Sequence, residues 1–388
     1  MHPDTRAVHV TLAGDAHGSL AVPLYQSAVF APGEPGAIAD GLSRPDGAYV
    51  YSRYANPTVR ALETAVADLE GGTAALATTS GSAAIATVLQ GALRAGDHVV
   101  AQRRLYGGTR SLLRHLEDRL GIEVAFVSGA DPAELSAAIR PRTRLLYLET
   151  IANPTGWVSD LPALSAVARA AGLVTVVDNT FATPLLCQPI RYGADVVVHS
   201  ATKYLGGHSD VTGGVAVFAD GDRYREVWRL AAELGVAADP FAAWLTIRGL
   251  KTLPLRIRRQ CATAALLAGR LAEHPAVAAV HWPGRPDHPS HPVATRLLSE
   301  YGAAFAVDLA GGRPAADAFL GAVRLVLHAP SLGGVETLVM HPASTSHRDQ
   351  SAEQLTAGGI GAGTVRLSVG VEDPEDLWAD LDQALSSS

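Results

Sequence analysis

Leu173-Val174-Thr175-Val176-Val177-Asp178 and Ala194-Asp195-Val196-Val197-Val198-His199-Ser200-Ala201-Thr202-Lys203 are the two stretches that decide the fold. Both are continuous apolar runs rather than alternating ones. Such runs imply strands buried on both faces, as in a mostly parallel sheet covered by helices. In open α/β sheets ligands bind beyond the carboxyl ends of the strands. Asp178 and Lys203 are therefore expected to face one crevice.

Working outward, the chain alternates helix and strand signals from Thr58 onward. Helices are expected at 58–70, 83–93, 109–120, 132–139 and 161–171, and strands at 74–78, 98–101, 123–127, 144–148, 173–177, 195–198 and 214–218. Residues 1–50 are rich in Gly and Pro and read as an extended arm. Beyond about residue 250 the pattern changes to a smaller α+β unit. A long helix near 240–273 leads it, followed by strands at 276–281, 303–309, 323–326 and 365–369 and a last helix at 374–385. The organisation expected is an arm over 1–57, a large α/β domain over 58–250 and a C-terminal α+β domain over 251–388.

The composition suits a compact protein with ample core: 388 residues, 48% hydrophobic and 18% charged, with a net charge of −7. Mild acidity without basic runs argues against a nucleic-acid partner. No apolar stretch reaches membrane-spanning length, so no membrane partner is expected. Two cysteines, Cys187 and Cys261, cannot make a disulfide framework, and Met1–Arg6 lacks the apolar run of a secretory signal. A cytoplasmic location follows as an expectation.

Only two of the 31 basic residues are lysine, Lys203 and Lys251. A guanidinium stays protonated, whereas an ammonium can lose its proton when desolvated and then attack a carbonyl. A lysine kept beside a Ser/Thr/Gly turn, with an acid at the neighbouring strand end, suits pyridoxal phosphate (PLP). The amine forms a Schiff base, and the carboxylate holds the pyridine nitrogen protonated. Ser200 and Thr202 lie close enough to offer hydroxyls to a phosphate. Thr78-Thr79-Ser80-Gly81-Ser82 is a strand end opening a helix, and backbone N–H groups there form an anion site. The bland alternatives are a helix-capping Asp and a solvated surface Lys. Lys251 reads as structural. Gly358–Gly363 lacks the strand and helix of a dinucleotide fingerprint and reads as a loop. His274, His281, His288 and His291 do not share a helix face, so no metal site is expected.

The arm segment Ala21–Ser27, Tyr51–Thr58, Leu105-Tyr106-Gly107-Gly108-Thr109, Glu149–Pro154, the Lys203 segment, Ser331–Leu338 and Val365–Gly370 together resemble the Cys/Met-metabolism family of PLP-dependent enzymes. That family includes cystathionine γ-synthase, cystathionine γ-lyase and methionine γ-lyase. The resemblance implies a fold-type-I PLP-dependent transferase (aspartate aminotransferase-like). It also implies γ-elimination or γ-replacement on a Cγ-substituted amino acid, as in transsulfuration. Lys203 would then be the Schiff-base lysine and proton shuttle, Asp178 the partner of the pyridine nitrogen, and Tyr106 the ring-stacking group. Gly81, Ser82, Ser200 and Thr202 would bind the phosphate, with Tyr51 and Arg53 reaching the cofactor of a neighbouring subunit. Arg366 would clamp the substrate α-carboxylate, assisted by Asn153 and Ser331. The implied assembly is a homotetramer of two active-site-sharing dimers.

Within the resemblance, Gly108 stands where methionine γ-lyases typically carry cysteine, and Leu332 where bacterial β-lyases tend to place tryptophan. Both favour γ-chemistry of the cystathionine type. Pro330 and Ser82 depart from the family pattern. Pro330 stands where cystathionine-handling members usually carry a glutamate that could meet a distal ammonium. Alternatives are a specialised γ-substitution with a nucleophile other than cysteine, a methionine γ-lyase, or a PLP-fold binding protein without catalysis.

Overall fold

The computed structural model describes residues 1–10 and 15–387. A seven-stranded sheet is formed by β1 (Ala74–Thr78), β2 (His98–Gln102), β3 (Glu123–Val127), β4 (Thr143–Glu149), β5 (Val174–Asp178), β6 (Val196–Ser200) and β7 (Gly214–Phe218), in the order β1-β7-β6-β5-β4-β2-β3. The β6-β5-β4-β2-β3 pairs are parallel, and β7 runs antiparallel between β6 and β1. Val176, Val177, Val196 and Val197 are fully buried, as continuous apolar strands require. The parallel register pairs Glu149 with Asp178 and Asp178 with Val198, so strands β4, β5 and β6 end at one level.

Helix boundaries follow local chemistry. Helix Pro57–Glu70 has Asn56 accepting from the Thr58 and Val59 N–H groups, Pro57 in the first turn, and Gly71 left-handed at its end. Helix Gly221–Leu234 was not expected, although Asp220 caps it and Gly235 stops it in the same way. Helices His291–Leu297 and Gly312–Ala322 were also not expected.

The single long helix expected near 240–273 is two, Pro240–Leu250 and Leu253–Glu273. Pro254 supplies the reason, since it has no N–H to continue the first helix but is suited to the first turn of the next. The Lys251 Nζ, in the break, donates to Leu20 O at 3.2 Å and so ties the arm to this point.

The smaller sheet holds β8 (Val277–His281), β9 (Ala304–Leu309), β10 (Leu327–His328), β11 (Leu338–Met340) and β12 (Thr364–Ser368), ordered β10-β11-β12-β9-β8. The strand expected at 323–326 is displaced to Leu327–His328, and β11 was not expected. Buried Asp380 explains the displacement. Its carboxylate takes the N–H groups of Arg324, Leu325 and Val326, leaving them no donors for a ladder. Gly358–Gly363 joins helix Ala352–Ala357 to β12. No helix of the described residues is long and apolar enough to cross a membrane.

Candidate active site

A cavity of about 610 Å³ opens at the carboxyl ends of β4, β5 and β6 and is closed on the far side by the smaller sheet's connections. Asp178, Lys203, Gly81, Ser82, Ser200, Thr202, Tyr106, Asn153, Ser331 and Arg366 all line it. Ten of the sequence-expected residues therefore meet in one place. Tyr51 and Arg53 do not. Arg53 Nη1 donates to Ala232 O, its guanidinium lies 4.7 Å from the centre of the Tyr54 ring, and both residues border separate shallow hollows on the arm side.

Lys203 sits in the turn after β6, and its Nζ donates to Ser331 Oγ at 2.9 Å. Burial, with Arg366 adding repulsion, lowers its pKa to about 8. The amine is therefore far easier to deprotonate than a surface lysine. Asp178 ends β5, and its Oδ1 accepts the Thr180 N–H at 2.9 Å. Burial raises its pKa, against the opposing Thr180 bonds. A buried carboxylate whose only donor residue among those described is Thr180 keeps acceptor capacity toward the cavity.

Above β1, helix Gly81–Ala92 begins with Ser80 as its cap, the Ser80 Oγ accepting the Ala83 N–H at 3.1 Å. The Gly81 and Ser82 N–H groups have no acceptor among the described residues and point their partial positive charge at the cavity end. A Cβ on Gly81 would lie 2.7 Å from Ser200 Cβ, so the helix start presses directly on the end of β6. The Ser200 hydroxyl has no partner among the described residues. Thr202 Oγ1 accepts the Gly213 N–H at 3.0 Å, which positions its hydroxyl from behind.

Arg366 lies on β12, 3% exposed, and burial lowers its pKa to about 10. Its Nη1 donates to Asn153 Oδ1 at 3.1 Å and its Nη2 to Ser331 O at 2.5 Å. Its Nε is buried without a partner. A buried guanidinium with no carboxylate partner and a spare donor calls for an anion.

Two residues of this cluster carried no individual role from the sequence. Glu149 ends β4, lines the cavity, and is held well above the usual carboxylate range by burial, with Asp178 beside it. His347 is buried beside Arg366. Burial, then that positive charge, drives its pKa to about 4 against backbone hydrogen bonds toward Leu105 and Asn153. A strand-end acid could have been read as Asp178 was; His347 offered no periodic signal.

The four histidines between 274 and 291 are engaged in separate pairs. His281 Nε2 meets Asp308 Oδ2 at 2.7 Å, and His288 Nδ1 meets Ser290 Oγ at 3.0 Å. No group of three metal-ligating side chains converges among the described residues.

The arrangement fits PLP. It offers an anion cup of helix N–H groups and hydroxyls, a buried acid at a strand end, and a desolvated amine between them. Residues 4–386 match the family described as Cys/Met metabolism PLP-dependent enzyme. The chain is 43% identical over 384 residues to a cystathionine gamma-synthase of Mycobacterium tuberculosis, covering 99% of this chain and 96% of that one. It is 41% identical over 386 residues to an L-methionine gamma-lyase of Porphyromonas gingivalis, again covering 99% and 96%. A cystathionine gamma synthase from Xanthomonas oryzae pv. oryzae, solved with aminoacrylate and cysteine, superposes with a TM-score of 0.94 at 37% identity, covering 100% of this chain and 98% of that chain. The chain belongs to the Cys/Met metabolism PLP-dependent enzymes.

Proposed function

We propose that this chain is a PLP-dependent carbon–sulfur lyase or γ-replacing transferase that acts on a Cγ-substituted amino acid by γ-elimination, γ-replacement or both. The observation that carries the reading is the convergence of Lys203, Asp178 and Arg366 on one cavity, with Lys203 Nζ 2.9 Å from Ser331 Oγ. When bound, PLP supplies an electron sink for the carbanionic charge that follows loss of the α-proton.

The protein's own groups do the rest. Asp178 holds the ring nitrogen protonated, and Tyr106 covers the ring face. The N–H groups of Gly81 and Ser82 and the hydroxyls of Ser200 and Thr202 grip the phosphate. Arg366, fixed by Asn153 and the Ser331 carbonyl, clamps the α-carboxylate through a bidentate pair. Lys203 Nζ, with its lowered pKa, takes the proton from Cα, moves a second from Cβ, and returns one to Cγ when the γ-group leaves without replacement. Tyr106 meets the leaving group and assists its protonation. Whether water or a thiol reaches Cγ decides elimination against replacement.

The same reading assigns residues 58–250 to a PLP-binding unit, 251–388 to a C-terminal unit, and 1–57 to an arm on a neighbouring subunit. Tyr51 and Arg53 would then complete the partner's phosphate site, in a homotetramer of two such dimers. Their distance from the cavity of their own chain supports this, as do exposed apolar side chains along the arm such as Val29 and Ile38, 64% and 53% exposed. The two buried free thiols, Cys187 and Cys261, accord with a reducing compartment such as the cytoplasm.

The test is product analysis with O-acetyl- and O-succinyl-L-homoserine, L-cystathionine and L-methionine, each with and without L-cysteine. Turnover confined to β-substituted amino acids, or a protein that takes up no PLP, would overturn the assignment.

A further inference from the structure

Glu149 is 4% exposed at the end of β4, beside its register partner Asp178. Its Oε1 accepts the Tyr106 N–H at 2.6 Å, and its Oε2 accepts the Asn153 N–H at 3.3 Å. Two loops from different parts of the chain therefore hang from one carboxylate. From Asn153 the contacts continue through Arg366 to Ser331 and Lys203. The strand end is itself fixed, because the Glu149 N–H donates to Gln102 Oε1 at 2.7 Å and the Ser159 hydroxyl donates to that same oxygen at 2.8 Å.

We propose that Glu149 is a positioning residue whose single carboxylate sets the Tyr106 backbone and, through Asn153, the guanidinium of Arg366. It thereby holds the grip on the substrate carboxylate in register with the tyrosine. This rests on the reading of Arg366 as the carboxylate clamp. Two N–H donors arriving from two directions need two acceptor oxygens, which a carboxyl group offers and an amide does not. A glutamine would turn its NH₂ toward one of the two N–H groups, and the longer Asn153 contact is the one that yields. A buried acid beside another buried acid is costly. What offsets that cost is the pair of backbone N–H groups the carboxyl holds.

The experiment uses Glu149→Gln holoenzyme and two probes, L-norleucine and n-pentylamine, which share a side chain but differ by the carboxylate. Binding is read from the change in visible absorption of enzyme-bound PLP. The variant should keep its PLP band and bind L-norleucine about tenfold more weakly, with n-pentylamine unchanged. In an Asn153→Ala background the substitution should add nothing further for L-norleucine. Equal weakening of both probes, no change in either, or full additivity with Asn153→Ala overturns the inference while leaving the enzyme reading intact. If Glu149→Gln fails to hold PLP, Glu149→Asp, which cannot span both N–H groups, is judged by the same criteria. Wild-type protein that takes up no PLP removes the functional reading itself, and this inference with it.

Discussion

At the strand ends Glu149, Asp178, Ser200 and Lys203 are carried by β4, β5, β6 and the turn after it, and the sheet fixes their level to one another. Across the same cavity, Pro330, Ser331, Thr345 and Arg348 come from coil and turn, and Ser344 from a single 3-10 turn. The Arg348 side chain there is 68% exposed, and its nearest acid is Asp349 at 3.9 Å. The first region is the more enclosed and is tightly registered, so each charge in it perturbs its neighbours strongly. The second is wet, and charges there are screened. On the proposed function, the bond-breaking chemistry belongs to the floor, and choice among γ-substituents falls to the wall.

The largest effect expected is on the floor. Lys203→Ala should abolish the visible band of lysine-bound PLP and reduce turnover by about a thousandfold or more, as removal of a general acid–base group does. Turnover within tenfold of wild type would break the contrast, because the floor would then not hold the reacting amine.

Gly108 tests whether the tyrosine belongs with the rigid floor. A Cβ there would lie 2.4 Å from Tyr106 Cε1, so Gly108→Ala must move the ring. Misplacing a positioned group by about 1 Å costs up to about a hundredfold. The expected outcome is kcat lower by about ten- to a hundredfold with PLP still bound. An unchanged kcat would place Tyr106, 40% exposed, with the adaptable wall instead.

A smaller effect concerns proton affinity. Burial and Arg366 together lower the Lys203 pKa to about 8. The neutral amine is the form that attacks an aldehyde, so PLP uptake by the apoprotein should speed up as pH rises and level off above about 8. Below that point the rate should fall about tenfold per pH unit. Arg366→Leu removes a positive neighbour, which must raise the lysine pKa and move the inflection to higher pH. An inflection that stays in place would mean the guanidinium is not felt across the cavity.

The same contrast separates what was legible in the sequence from what was not. Val174–Asp178 and Val196–Ser200 could be read because burial on both faces leaves a continuous apolar run, and a strand end places its last residue at the ligand. The break after Leu250 was written in Pro254 but masked by the apolar periodicity on either side of it. The position of β10 depends on Asp380, distant in sequence, claiming three N–H groups, and no local pattern records that. Gly81, Ser200 and Lys203 were singled out from local chemistry, and they line one cavity. Glu149 could have been read as a strand-end acid, but the loops that hang from it, and the burial of His347 beside Arg366, exist only in the tertiary fold.

The smallest effect is expected at the wall. Pro330→Glu places an acid where the cavity meets solvent, within reach of a distal ammonium on the substrate. An exposed ion pair contributes only about 0.2–1 kcal/mol, or up to about fivefold in affinity. KM for L-cystathionine should therefore fall by no more than about fivefold, and KM for O-succinyl-L-homoserine, with its distal carboxylate, should rise by a similar factor. Both changes should shrink in high salt while kcat stays constant, because screening acts on the wet wall and not on the buried floor. A change in kcat larger than the change in KM would show that position 330 reaches the reacting atoms, and the division between floor and wall would fail there.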